Sequence, residues 1–428
     1  MFQGGGNIPL IMPIVTELVK RGHDVRIIAG RNIRGLMRPV SEDFLGRIEE
    51  SGAQRVEFVE PVVDPYESSP PVRGVAFGWM PKQYEQVSMR QARTTLWSAP
   101  WASNVIDEIG RAPTDVLVCD YWLFGAIAAG EASRTPTAVI VHNAFPADAA
   151  RLPPSRNVLD ALLQVPQRWA LRRIWARDGL PIHNQARREL GLPAIATSPF
   201  HECDRASSVL VLGYEWFDFP AKKLPTNVRY VGTPIDDADA TPDAWVSPWP
   251  PGDPRPMVLV SMSTLQQGQG PVMRNIVEAI GRMPVRALVT LGPSLNAEDF
   301  AAPGNVVFEK FVPHSAVLPH ASAIVSQCGL STLAKALRLG VPLVCIPLIA
   351  DQPDNAARIA AKGVGIWLSP GASPDQIREA LNRVLTEPSF REAARRLGAQ
   401  VAGGKAEDSA ADELEALAQR ARRLQRVD

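Results

Sequence analysis

The sequence predicts an α/β protein built from two doubly wound parallel sheets. Three observations carry this. Short β-rich apolar runs alternate with helical patterns on both sides of an aperiodic stretch at 233–256, rich in Pro, Asp and Trp. Residues 321–355 hold a complete strand, glycine turn, helix, second strand and polar loop. A chain of 428 residues with a hydrophobic fraction of 46% is long and apolar enough for two domains with separate cores.

The first helical pattern covers Met12–Lys20, and Val25–Ala29 and Arg55–Val59 read as the strands after it. Residues 61–110 are irregular and aromatic. Val116–Cys119 and Ala138–Val141 read as strands around a helix at Gly125–Ala132, and residues 145–200 are irregular again. Beyond 256 the expected strands are Met257–Ser261, Ala287–Leu291, Val306–Phe308, Ile324–Val325 and Leu343–Ile346. Helix broken at Gly403-Gly404 fills the tail from Pro388 to Arg423. The expected division is a first domain at 1–232, a linker at 233–256, a second domain at 257–400 and a terminal helix at 401–428. No repeat of solenoid period appears.

A doubly wound sheet keeps its first strand in the middle. The chain opens Met1-Phe2-Gln3-Gly4, which supplies almost none of that strand. The expectation is a native start upstream, because an unfilled place would leave two neighbouring strands with unpaired backbone groups at about 1–3 kcal/mol each.

Lys plus Arg and Asp plus Glu both number 45, so no global positive field draws nucleic acid or an anionic membrane. No apolar run reaches the ~18 residues of a spanning helix. No secretory signal opens the chain, and the expected location is the cytoplasm. Cys119, Cys203, Cys328 and Cys345 fit no zinc or redox spacing and are expected to be buried free thiols. No Ser-His-Asp order, metal cluster or P-loop is visible. Oligomeric state is not readable.

The chemistry concentrates at 311–355. The elements in order are Pro313-His314, Leu318-Pro319-His320, Gln327-Cys328-Gly329, Gly340-Val341-Pro342, Asp351-Gln352 and Asn355. A glycine turn opening a helix directs free amides at an anion. This series resembles the nucleotide-sugar motif of the family 1 glycosyltransferases, which include plant secondary-product enzymes and bacterial macrolide-type enzymes. Ser261-Met262-Ser263-Thr264, Tyr230-Val231-Gly232, Gly4-Gly5-Gly6-Asn7 and Arg21-Gly22-His23-Asp24-Val25 extend the resemblance over most of the chain.

The resemblance implies a GT-B architecture: two facing doubly wound, Rossmann-like domains, with the C-terminal helix crossing back to the first. It implies inverting, metal-independent sugar transfer from a UDP- or dTDP-sugar to a hydroxyl of a lipophilic small molecule. The nucleotide sugar is a co-substrate, and no cofactor is expected. On the donor side it assigns Thr264, Gln327, Gly329, Ser331 and Thr332 to the phosphates. Phe311 and Val312 fall to the base, and Asp351 and Gln352 to the sugar hydroxyls. Gln327 replaces the family's histidine, and an amide makes a weaker, uncharged bond. Lys335 stands where the family has a ribose-binding glutamate and cannot accept from a hydroxyl. It is expected to contact phosphate or to be a solvated helix residue.

Family members carry a histidine base after the opening glycines. That position is Asn7, and an amide is no base. Asp120 matches the aspartate that orients the histidine. Three options stand: Asp120 as base with Asn7 positioning the acceptor, His142 as base, or no transfer at all. His23 reads as structural. Trp79, Trp97, Trp101, Trp122, Phe124, Phe145 and Trp169 are expected in loops lining the acceptor cleft. Two rival functions remain at this point, a non-catalytic partner or activator protein and a nucleotide-sugar epimerase.

Overall fold

The computed structural model describes residues 8–29, 33–34, 42–60, 62–63, 98–142, 162, 165–166, 169, 173, 175–196, 198–219, 224–236, 245–262, 268–348, 351–401 and 405–425. These form two compact units, Met1–Pro234 with Ala406–Asp428, and Ile235–Lys405.

The first unit opens with α1 (Ile8–Lys20), β1 (Arg26–Ile28), β2 (Ile33–Arg34), α2 (Glu42–Glu50), β3 (Gln54–Val56) and β4 (Val62–Val63). Next come α3 (Ser98–Arg111), β5 (Leu117–Asp120), α4 (Phe124–Ser133) and β6 (Thr137–Val141). The segment ends with α5 (Leu180–Glu189), β7 (Ser208–Val211) and β8 (Val228–Tyr230). Strands β5-β6-β7-β8 form one parallel sheet, while β1 pairs with β3 and β2 with β4 in two further ladders. Every residue of β6 and β7 is buried, as expected for strands covered on both faces.

Helix α4 owes its close approach to α3 to a glycine. A Cβ on Gly125 would stand 1.8 Å from the Ser98 carbonyl oxygen, a backbone atom that cannot swing away. Gly125→Ala is therefore expected to destabilise this unit by about 3 kcal/mol, read as a lower midpoint in chemical denaturation. Alongside lies a polar cluster that the sequence does not announce. His183 Nε2 lies 2.6 Å from Glu202 Oε2, and its Nδ1 lies 3.2 Å from Ser98 Oγ. Glu202 is also bonded by Arg187, which reaches Glu131 at 3.0 Å. This serine–histidine–glutamate row is a packing device rather than a nucleophile. Ser98, His183, Arg187 and Glu202 are all at most 1% exposed, and the arginine holds the carboxylate's charge.

The second unit contains β9 (Met257–Ser261), α6 (Gly270–Gly281), β10 (Arg286–Thr290), β11 (Val306–Glu309), the short α7 (His314–Val317), β12 (Ala323–Ser326) and α8 (Leu330–Arg338). It continues with β13 (Leu343–Cys345), α9 (Gln352–Ala361), β14 (Gly365–Trp367), α10 (Pro374–Thr386) and α11 (Pro388–Val401). Its six strands run parallel in the order β11-β10-β9-β12-β13-β14. This is the doubly wound order, with its reversal point between β9 and β12, where Ser261 and Ser326 stand side by side. Expected and observed strands differ by a residue or so at their ends. Helix α8 stops because Gly340 adopts φ +64°, a turn from which Val341 and Pro342 lead into β13.

The stretch expected as linker is partly structural. Trp245 stacks near His320 at 5.5 Å, and buried Trp249 lies under the Arg286 guanidinium at 5.7 Å, so 245–250 pack onto the second unit. The last helix, α12 (Ala406–Gln425), groups with the first unit. Arg21 bonds Asp412 at 2.6 Å, His23 meets Glu415 at 2.8 Å, and Arg422 pairs with Asp115 at 2.6 Å. His23 thus has a structural partner.

Candidate active site

In the second unit the site forms at the sheet's reversal point. Strand β12 ends at Ser326 and the chain turns through Gln327-Cys328-Gly329 into α8. Cys328 holds φ +67°, a left-handed conformation that costs a non-glycine residue energy and persists only when its surroundings enforce it. Two neighbours do so. Asn355 Nδ2 donates to the Cys328 carbonyl at 3.0 Å, and the Cys328 amide donates to Ser326 Oγ at 3.1 Å. Cys328 is also disulfide-bonded to Cys345, with Cα atoms 5.8 Å apart. This corrects the expectation of four free thiols. The pair is hidden in the sequence because 17 residues separate the two cysteines, while the parallel register puts Ser326 beside Cys345. Cys119 and Cys203 are free and buried, and burial pushes both thiols well above their ordinary range. Neither is an available thiolate.

Gly329 is the N-cap of α8, so the first amides of the helix lack intrahelical acceptors and face the turn, and half-buried Ser331 and Thr332 occupy that first turn. Asn355 binds the arrangement together, because its Nδ2 also donates to Asp351 Oδ2 at 2.8 Å. One buried amide thus ties the glycine turn to the Asp351-Gln352 loop. Gln352, the first residue of α9, is buried, and its Oε1 accepts from the Leu348 amide at 2.8 Å.

Two departures from the family pattern acquire structural roles. The Gln327 amide, oriented to satisfy its partners, donates to the Ser261 carbonyl at 2.7 Å and the Met262 carbonyl at 3.2 Å. Both its protons span β9 and β12, so it straps the reversal point shut and does not offer those protons to a phosphate. Lys335 is half-buried, and its Nζ donates to the Asp236 carbonyl at 2.7 Å. Phe311 is 68% exposed on the loop after β11, and Val312 beside it is buried. Next in the chain, burial and then the Lys335 ammonium push His314 down from 6.5 to about 4. An imidazole depressed in the folded state binds its proton first in the unfolded chain. Its contribution is therefore intact above pH 6.5 and is lost as the pH falls towards 4. Wild-type protein should lose about 3 °C more of melting temperature than His314→Gln between pH 7 and pH 4.5, as read by thermal scans.

In the first unit Asp120 ends β5 and His142 follows β6. Both are buried. The parallel register sets Asp120 beside Ile140, which brings His142 to the same sheet end. Asp120 Oδ1 accepts from the Trp122 amide at 3.0 Å, and Oδ2 lies 3.1 Å from His142 Nδ1. That approach is off the hydrogen-bond axis. The Tyr121 ring meets the imidazole edge-on at 5.2 Å. The structure thus joins two residues that the sequence offered as separate options.

The aromatic expectations divide. Phe124 is not an acceptor residue: it starts α4, is wholly buried, and packs edge-on against His183 at 5.7 Å. Trp101 is core as well, stacked edge-on to Phe58 at 5.3 Å. Trp122 is half-buried beside Tyr121, and Trp169 is 61% exposed with Arg173 over its ring. Asn7, Trp79, Trp97, Phe145, Ser263 and Thr264 lie outside the described residues.

The erythromycin biosynthesis protein CIII-like, C-terminal domain family matches residues 274–417. The chain is 30% identical to 4'-demethylrebeccamycin synthase of Lentzea aerocolonigenes over 439 aligned positions, covering 97% of each protein. In fold it is similar to the calicheamicin glycosyltransferase CalG4, with a TM-score of 0.71, 21% identity and coverage of 96% and 95%. It is also similar to the glycosyltransferase VinC in complex with dTDP, with a TM-score of 0.65, 18% identity and 98% coverage of both chains. A doubly wound donor-type sheet and a relative alike along nearly its whole length place the chain in the family 1 glycosyltransferases, among the GT-B enzymes of bacterial natural-product biosynthesis.

Proposed function

We propose that this glycosyltransferase moves a sugar from a dTDP- or UDP-sugar to a hydroxyl of a lipophilic small molecule, with inversion and without a metal ion. The observation that carries the reading is the convergence of Asp120 and His142 at one sheet end, 3.1 Å apart. Each half of the reaction is assigned to one unit.

In the first unit the Asp120 carboxylate fixes the proton of His142 on Nδ1, leaving Nε2 as the base nitrogen. As the acceptor oxygen attacks the anomeric carbon, Nε2 takes the hydroxyl proton. Asp120 orients the imidazole and stabilises the imidazolium, a positioning role. In the second unit the bond from the anomeric carbon to the diphosphate oxygen breaks, and the electron pair leaves with the diphosphate. The α8 amides and the hydroxyls of Ser331 and Thr332 are suited to that growing charge. The end of α8 is given the neutralising task. Asp351 and Gln352 are assigned the sugar hydroxyls and exposed Phe311 the base, with Trp122 as an acceptor contact. The described helices include none long and apolar enough to cross a membrane.

Support for the donor class comes from VinC, whose structure is in complex with dTDP, and for a small-molecule acceptor from the name 4'-demethylrebeccamycin synthase. Calorimetric titration with dTDP and UDP tests the donor half without knowledge of the acceptor. Micromolar binding of at least one is expected. Failure of both to bind folded protein would overturn the reading.

A further inference from the structure

Cys328 stands in the turn between β12 and α8, and among the described residues three neighbours hold it. Its amide donates to Ser326 Oγ at the end of β12, and its carbonyl accepts from Asn355 Nδ2 of α9. The third tie is the disulfide to Cys345, the last residue of β13. Of these ties only the disulfide opens and closes by electron transfer.

The far end of the bond is a rigid post. Cys345 pairs with Ser326 of β12 on one side and Trp367 of β14 on the other, and its carbonyl accepts from the Leu368 amide at 2.8 Å. Cys328 is the less firmly held partner. It lies in a turn rather than a strand ladder and holds φ +67°, a conformation that glycine takes freely and cysteine does not. What cysteine adds over glycine at this position is a sulfur within bonding reach of β13. Both residues are wholly buried. Two thiols need more room than two bonded sulfurs, and a packed interior yields that room by displacing the residue that is held less firmly. Gly329, the N-cap of α8, is next in the chain, and its carbonyl accepts from the Leu333 amide at 3.0 Å. A shift of Cys328 is therefore carried into the first turn of the helix.

We propose that the Cys328–Cys345 bond is a redox switch on the nucleotide-diphosphate site, closed for tight binding and open for weak binding. The inference rests on the donor reading of the α8 end given above. A dithiol reductant opens the bond: its thiolate attacks one sulfur, a mixed disulfide forms, and its second thiol resolves it. Two electrons and two protons pass to Cys328 and Cys345, which become thiols, and the reductant closes to its own disulfide. An oxidised dithiol runs the exchange backwards. Because neither sulfur is exposed, attack requires the turn to open. Bound nucleotide holds the turn in place and so opposes reduction. The coupling is reciprocal: the factor by which reduction weakens nucleotide binding is the factor by which nucleotide disfavours reduction.

The test is calorimetric titration of the full chain with dTDP and UDP, after oxidation with diamide or reduction with dithiothreitol. The thiols of each sample are counted by alkylation in denaturant. Two are expected in the oxidised protein, Cys119 and Cys203, and all four cysteines in the reduced one. Reduction is expected to raise the dissociation constant by about 10-fold. Saturating nucleotide should shift the ratio of reduced to oxidised dithiothreitol at half-reduction by the same factor. Cys345→Ala and Cys328→Gly cannot form the bond and should bind equally in both conditions. The glycine variant keeps the left-handed turn without strain and carries the test should the alanine variant not fold. Equal affinity of oxidised and reduced wild type, tighter binding by the reduced form, or a redox response that survives in a folded variant would overturn the proposal. Four thiols after oxidation would overturn it too. Absence of binding by both forms would overturn the donor reading and this inference with it, an outcome distinct from equal binding.

Discussion

Asp120→Asn is expected to lower sugar transfer by about 100-fold or more while leaving nucleotide binding unchanged. The asparagine oxygen can still accept from the Trp122 amide, so the local turn survives. The amide nitrogen then faces His142 Nδ1, where the carboxylate oxygen stood at 3.1 Å. A donor there selects the tautomer with its proton on Nε2, the nitrogen that must receive the acceptor proton. The base is present but holds the wrong proton, a change known to cost about 10⁴-fold in a serine-protease triad. The pH–rate profile separates this from mere misfolding, because its acidic limb should shift. Wild-type rates in Asp120→Asn would remove the pair from the mechanism.

Asn355→Ala is expected to raise the dissociation constant for the nucleotide diphosphate by about 10- to 100-fold. One buried side chain makes both bonds that hold the glycine turn against the Asp351 loop. Its removal leaves the buried Cys328 carbonyl without that donor, at about 1–3 kcal/mol. It also frees the loop that carries Asp351 and Gln352. The strained Cys328 backbone is then held by fewer contacts, and the α8 amides lose their fixed aim. Calorimetry on folded variant protein checks this. Binding unchanged from wild type would show that the turn is held elsewhere.

The second unit was the more legible half. Met257–Ser261 is visible in the sequence with its observed ends because five buried residues leave an uninterrupted apolar run between polar flanks. The glycine turn and its helix are legible for a similar reason, since Gly329 and Gly340 bracket an amphipathic stretch. What stayed hidden depends on contacts between distant residues. The Cys328–Cys345 bond, the Gln327 strap and the Asn355 tie all cross between elements that only the parallel register brings together. Phe124 was misread because an aromatic after a strand's end resembles a loop residue until α4 is seen to start at that position. In the first unit Asp120 and His142 were each visible at a strand end, but their pairing was not. It follows from β5 and β6 being neighbours in register. The cluster of Ser98, His183, Arg187 and Glu202 left no signal, because it draws one residue or two from each of three segments far apart in the chain.

The central claim is sugar transfer with His142 as base. A single assay addresses it: wild-type and His142→Gln proteins are incubated with dTDP- and UDP-sugars and a panel of polycyclic and macrolide alcohols, and products are followed by mass spectrometry. Wild type is expected to yield an acceptor carrying one added sugar, and His142→Gln to form it about 100-fold or more slowly. Glycosylated product formed equally fast by both proteins would contradict the assignment of the base. No glycosylated product from wild type, with nucleotide diphosphate bound, would contradict the proposed acceptor class.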